Sequence, residues 1–379
     1  MARPFLSPIL AALALPALAS FLSGCGGGTA PVPPPPPSAE SLAAIDDAGG
    51  APREELGRAI DRIFAEEAGR TDALLVLKRG QPIIARYGNG LGPKTRLPGR
   101  SMAQCVTGLM IGQLVSDGRL RLDETAPVAA WQRSGDPRGA ITVRQLLQMR
   151  SGLRHRDGPG MGLESDTERM LYLDGRDDMA AYAEAQPMRA VAGQTFAYSA
   201  ATPVILADLA ARALAPGGSA EARRAAVAQY LGSRVLEPIG LTSMTADYDR
   251  AGTLIGSSMI HANAPDWALL GDFLRRNGSV EGAQILPRRW IEFMRRPSPR
   301  NPGYGALLWL NAPQPPGQDE LWPARASDKL FACRGEHGQY LIGSPDQLLT
   351  IVRMGWSDGE EEAELHRRIG ELIALFPSN

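Results

Sequence analysis

Ser101-Met102-Ala103-Gln104 opens a long apolar-periodic segment, Ser101 to Val115, directly after a Gly/Pro-rich stretch containing Gly90-Leu91-Gly92-Pro93 and Pro98-Gly99. The spacing predicts a helix that ends near Asp117-Gly118, where a glycine is a stop signal. Residues three apart on a helix share a face, so Ser101 and Gln104 stand side by side. A serine hydroxyl is a weak nucleophile until a neighbouring base takes its proton. Gln104 offers an amide there, with neither a basic nitrogen nor a charge.

Working outward, an amphipathic helix is expected from about Arg53 to Ala68, with Leu56, Ile60, Ile63 and Phe64 at helical spacing. Two β-like runs follow, 73–77 and 82–87, joined by a turn at Lys78-Arg79-Gly80-Gln81. The middle of the chain reads as helix and loop. Thr142-Val143-Arg144-Gln145 is a capping box, and Thr202-Pro203 offers an N-cap and first-turn proline for an alanine-rich helix to Leu214. Late β-like runs lie at 306–310, 337–342 and 348–354, and a closing helix spans 360–376. The order predicts an α+β fold: an antiparallel sheet with N- and C-terminal helices (about 52–100 and 251–379), interrupted by a mostly helical part at about 101–250. No internal repeat shows.

The 379 residues suffice for one large core or two smaller ones. Hydrophobic content of 44%, charged content of 21% and a net charge of −1 describe an ordinary globular protein and give no basic stripe for a nucleic acid. The N-terminus is different. Arg3 is followed by an apolar run to Phe21, broken by Pro8 and Pro16, which resembles a secretory signal rather than a spanning helix. It ends in Leu22-Ser23-Gly24-Cys25, similar to the lipobox of bacterial lipoproteins. By that resemblance residues 1–24 are removed and Cys25 is lipidated, holding the protein on a membrane surface of the cell envelope. An ordinary signal peptide with a coincidental cysteine is the alternative. Residues 25–51, with Gly26-Gly27-Gly28 and the run Pro33 to Pro37, read as a tether, so folding is expected from about Pro52. Cys105 and Cys333 are the remaining cysteines; pairing is open to them in an exported protein, but two buried free thiols are the preferred reading.

Several stretches together resemble the serine β-lactamase-related superfamily, which includes class C β-lactamases, penicillin-binding D-Ala-D-Ala carboxypeptidases, esterases and 6-aminohexanoate-oligomer hydrolases, and the last branch most of all. They are Asp136 to Leu147, Ser151-Gly152-Leu153, Arg169-Met170-Leu171-Tyr172, Phe196-Ala197-Tyr198-Ser199, Pro265-Asp266-Trp267 and Gly335-Glu336-His337-Gly338-Gln339-Tyr340, in the family's order from about residue 53 onward. The resemblance implies a β-lactamase/transpeptidase-like fold and a serine hydrolase acting on a small amide, ester or peptide. Ser101 takes the place of the nucleophile in the family's S-x-x-K motif, with Gln104 at the lysine position. Tyr198 matches the tyrosine that shares the proton work. The backbone N–H at Glu336 matches the strand donor that joins the serine's own N–H as an oxyanion hole.

The missing lysine narrows the function. An isolated tyrosine ionises near pH 10, so using its phenolate at neutral pH costs about 4 kcal/mol, and a lost general base is worth roughly 10² to 10⁴ in rate. Of the three lysines, Lys78, Lys94 and Lys329, none falls in a motif. His337 has the right ordinary pKa for a substitute base, although the resemblance assigns it to the scaffold. His155, His261 and His366 are dispersed, so no metal or other cofactor is expected. A G-x-S-x-G elbow is absent. Two functions remain: an acyl-transferring hydrolase with reduced activity, or a non-catalytic lipoprotein that binds peptidoglycan peptides or another envelope partner. Singly, Ser101 reads as a helix cap and Tyr198 as a packing residue; only their joint order points to catalysis.

Overall fold

The computed structural model describes residues 34–158, 160–315 and 320–378; the signal-like segment and Cys25 lie outside them. The chain divides into Met1–Pro36 and Pro37–Asn379, and the second unit carries both the sheet and the helices. Its principal helices are α1 (Ala39–Ala43), α2 (Arg53–Phe64), α3 (Ala103–Ser116), α4 (Ala201–Leu214), α5 (Ala264–Arg275) and α6 (Glu360–Ala374). Its main sheet has strands β1 (Arg70–Lys78), β2 (Gln81–Tyr87), β3 (Trp309–Leu310), β4 (Phe331–Gly335), β5 (Gln339–Ser344) and β6 (Leu349–Trp356), in the order β2-β1-β6-β5-β4-β3 and antiparallel throughout.

Alternation along β1 builds two cores from one strand. Leu74 and Val76 face α2 and α6, packing with Ile60, Ile63, Leu365, Ile369 and Leu372. Ala73, Leu75 and Leu77 face the other way, toward α3, α4 and α5. Successive strand side chains point to opposite faces, so a central strand covered on both sides is apolar at nearly every position. The expected α+β architecture, sheet with terminal helices plus helical part, is present.

Boundaries differ in informative ways. Folded structure begins at Pro37 rather than Pro52. Ser38 caps α1 and also binds the Asp61 carboxylate, N–H to Oδ2 at 2.7 Å and hydroxyl to Oδ1 at 2.5 Å. Ile45 bridges to Ile84 on β2, and Arg53 Nη2 donates to the Ile45 carbonyl at 2.7 Å. A cap and a few apolar residues suffice to dock a segment whose composition reads as tether. The capping box at Thr142/Gln145 forms as expected. α4 starts earlier than Thr202, with Ala200 at the N-cap position and no side-chain cap; just before it the Ser199 hydroxyl accepts the Ala201 N–H at 3.1 Å. In the run 306–310, Leu307 takes a positive φ of 55°, leaving only Trp309 and Leu310 as strand. His337 and Gly338 also have positive φ, so they form the β4–β5 turn instead of the strand expected over 337–342.

Candidate active site

Ser101 does not sit on α3 but on the 3-10 turn Arg100–Met102 leading into it. Arg100 adopts φ +50°, a left-handed conformation that costs free energy in any residue with a side chain. That turns the chain sharply before Ser101. Two glycines make the corner possible. A Cβ on Gly99 would lie 2.3 Å from the Trp267 indole, and a Cβ on Gly335 would lie 2.5 Å from the Gly99 carbonyl oxygen. The end of β4 therefore meets the start of the Ser101 turn backbone to backbone, bringing Glu336 beside Ser101.

A cleft of about 360 Å³ opens at this junction, lined by Ser101, Tyr198 and Trp309, by the segment Arg334 to His337, and by Asp358 and Glu362. The fold thus brings Ser101, Tyr198, Glu336 and His337 to one place. Gln104 lies just beneath, buried, and donates Nε2–H to the Tyr198 phenol oxygen at 2.6 Å. Ser101 lines the same cleft as Tyr198, and its hydroxyl helps pull the phenol's pKa down. The Ser101 and Glu336 N–H groups are engaged by no backbone hydrogen bond among the described residues, which leaves both available to an oxyanion.

Electrostatics works against the tyrosine. Burial pushes Tyr198 up to about 12; hydrogen bonds from Ser101 and Gln104 and the Arg334 charge pull down, while Glu336 pushes up again. The ionisation cost therefore exceeds that of a free tyrosine, and no lysine offsets it. Lys78 donates to the Gln347 carbonyl at 2.7 Å and Lys329 pairs with Asp346 at 3.0 Å. The positive charge in the cleft is Arg334, held over the Trp309 ring at 5.1 Å. Trp309 in turn packs on Tyr198, ring centroids 5.6 Å apart, with Tyr304 edge-on to both.

His337 is held flat on Trp356, centroids 3.7 Å apart, and its Nδ1 is bound by Asp358. Trp356 Nε1 donates to the other Asp358 oxygen at 2.6 Å, and Arg100 lies over the indole at 5.4 Å. The hydrogen bond from His337 holds the Asp358 carboxyl below its ordinary range. Glu336 is raised, chiefly by desolvation within the cleft, with Arg100 opposing. Among the described residues no group of three His, Cys, Asp or Glu is arranged to hold a metal ion.

The expectation of two free thiols fails. Cys105 and Cys333 form a disulfide with Cα atoms 6.1 Å apart. Position along the sequence carries no distance, and only the approach of β4 to α3 brings the pair into range. Arg353 was equally invisible. It is fully buried under the β4–β5 turn and donates to the carbonyls of His337, Gly338 and Arg70 and to the Thr71 and Ser357 hydroxyls. Its signal was one arginine in an apolar strand, Ile351-Val352-Arg353-Met354.

Comparison with known proteins agrees with this frame. The Beta-lactamase family model matches residues 58–375. A Bacillus anthracis protein assigned as a 6-aminohexanoate-dimer hydrolase aligns with TM-score 0.63 at 22% identity, covering 81% of each chain. A family VIII carboxylesterase aligns at 0.60 and 15%, covering 83% of this chain and 96% of the other. A penicillin-binding protein homologue from Caulobacter crescentus gives 0.57 and 17%, covering 90% and 99%. At these identities the likeness speaks to fold. No curated protein matches the chain. With the family model spanning most of its length and the serine and tyrosine meeting in one cleft, the chain belongs to the Beta-lactamase family of serine hydrolases.

Proposed function

We propose that this is a cell-envelope serine hydrolase that cleaves a small ester, amide or peptide through an acyl-enzyme on Ser101. The observation that carries the reading is the meeting of Ser101 and Tyr198 in one cleft, with Gln104 bound to the phenol from beneath. Tyr198 takes the Ser101 proton as the hydroxyl oxygen attacks the carbonyl. The backbone N–H groups of Ser101 and Glu336 receive the developing oxyanion, and Gln104 fixes the phenol. Hydrolysis of the acyl-enzyme by water returns the serine. With Tyr198 near 12, forming the phenolate at pH 7 costs about 7 kcal/mol. Turnover is accordingly slow, and esters with good leaving groups react faster than amides.

Attachment through lipid on Cys25 is part of the proposal, supported by the Leu22-Ser23-Gly24-Cys25 stretch and by a disulfide typical of exported proteins. Among the described residues no helix is long and apolar enough to cross a membrane. A second reading, a non-catalytic lipoprotein that binds envelope peptides in the same cleft, is favoured by one observation, the neutral Gln104 amide on Tyr198 at the lysine position. A fluorophosphonate probe separates the two. Labelling that disappears in Ser101→Ala supports the hydrolase; a folded sample that stays unlabelled sinks it.

A further inference from the structure

The covalent feature nearest the reaction is the Cys105–Cys333 bridge. Cys105 follows Ser101 by four residues, one turn along α3, and Cys333 precedes Glu336 by three residues on β4. Both side chains are buried, and 228 residues of sequence separate them. The bridge therefore ties α3, which continues the Ser101 turn, to β4, whose end leads into Glu336. Cys105 Sγ also lies 3.3 Å from the Leu307 carbonyl, two residues before Trp309 on the cleft wall. The approach of Gly335, at the end of β4, to the Gly99 carbonyl is bare backbone. Van der Waals contact at a glycine resists closer approach but not sliding or separation.

Resting on the serine-hydrolase reading, we infer that Cys105 and Cys333 are a positioning pair: their bridge sets the separation of the Ser101 and Glu336 N–H groups, and the cleft is fully organised only in the oxidised protein. Oxyanion donors act at about 2.7–3.1 Å from the charge they stabilise, and a displacement of roughly 1 Å in such a site costs on the order of 10²-fold in rate. Closing the bridge removes two protons and two electrons from the thiols; a low-molecular-weight disulfide takes them up and becomes two thiols. A chain held in a reducing compartment keeps Ser101 and Tyr198 but has a slack oxyanion pair. Oxidation after export completes the site.

The test uses the full chain in three forms: oxidised, reduced with a phosphine, and the double variant Cys105→Ala/Cys333→Ala. Cys105→Val/Cys333→Ala, which fills more of the vacated volume, replaces that variant should it fail to fold. Thermal midpoints are measured first. The second-order rate of fluorophosphonate labelling, and kcat and KM for an activated ester, are then taken at a temperature where circular dichroism shows every form folded. The expected result is labelling slower by about 10-fold or more without the bridge, with kcat reduced and KM little changed. Oxidised glutathione should restore the rate of the reduced wild type and leave the variant slow. Equal labelling rates in the folded oxidised and reduced forms, with only the thermal midpoint moved, would overturn the inference. Absence of labelling in the oxidised protein would overturn the Ser101 reading beneath it.

Discussion

Gln104 gives its amide N–H to the Tyr198 phenol at 2.6 Å, so the side chain at the lysine position contacts the tyrosine proposed to move the Ser101 proton, but as a neutral donor. The contact preserves orientation and omits charge. An ammonium at the same place would add a full positive charge beside the oxygen that must become negative.

Gln104→Lys is therefore expected to raise kcat/KM for activated esters by about 10²-fold, within the range for restoring a general base. A steady-state comparison with wild type checks it. No gain in a folded variant would mean that the cleft fails for a reason other than the missing cation.

Tyr198 sets the pH dependence. Its pKa of about 12 lies above the ordinary value of about 10, so folding favours the neutral phenol. That stabilisation is complete below pH 10 or so and is lost as pH rises through about 12. Activity runs the opposite way. If the phenolate is the base, log kcat/KM should climb about one unit per pH unit between pH 7 and roughly 10, and Tyr198→Phe should abolish the climb. A flat profile in wild type counts against Tyr198 as base.

Glu184 makes a separate prediction about stability. Burial, and after it the charge of Asp208, raises its pKa to about 8. Arg212 lies 3.8 Å away, yet it is already bound to Asp208, and burial dominates. A raised carboxyl pKa stabilises the fold fully below the unfolded value of roughly 4.3, and the gain is lost as pH rises through about 8. The thermal midpoint should fall by several degrees between pH 5 and pH 9, and Glu184→Gln should flatten that fall. An unchanged slope in the variant places the titrating group elsewhere.

Gly335→Ala tests the backbone junction. The new methyl would stand 2.5 Å from the Gly99 carbonyl oxygen, with rigid backbone on both sides. A loss of about 1–3 kcal/mol is expected from overpacking, together with strongly reduced fluorophosphonate labelling at temperatures where the variant is folded. Wild-type labelling in a folded Gly335→Ala protein would show that this approach does not set the site.

Patterns of short range were legible from sequence. Short β-like runs marked β1 and β2, helical spacing marked α2 and α6, and the capping box marked its helix start, because each is written within a few residues. The residues that meet in the cleft were legible only by resemblance, since Ser101, Tyr198 and Glu336 come from distant parts of the chain. What stayed hidden depends on distances that only folding creates: the Cys105–Cys333 bond, the engagement of His337 by Trp356 and Asp358, and the docking of residues 37–51. Desolvation of Tyr198 is equally a product of folding; it moves the pKa upward and makes the absent lysine cost more than composition implies.

Arg353 has a consequence for motion. Burial lowers its pKa to about 10, so it remains a cation at neutral pH, and the oxygens it binds are carbonyls and hydroxyls. Two of those carbonyls belong to His337 and Gly338, in the same turn as Glu336. An outward swing of that turn would strip solvation from a buried charge, a penalty of several kcal/mol. The turn therefore behaves as a fixed jaw rather than a lid.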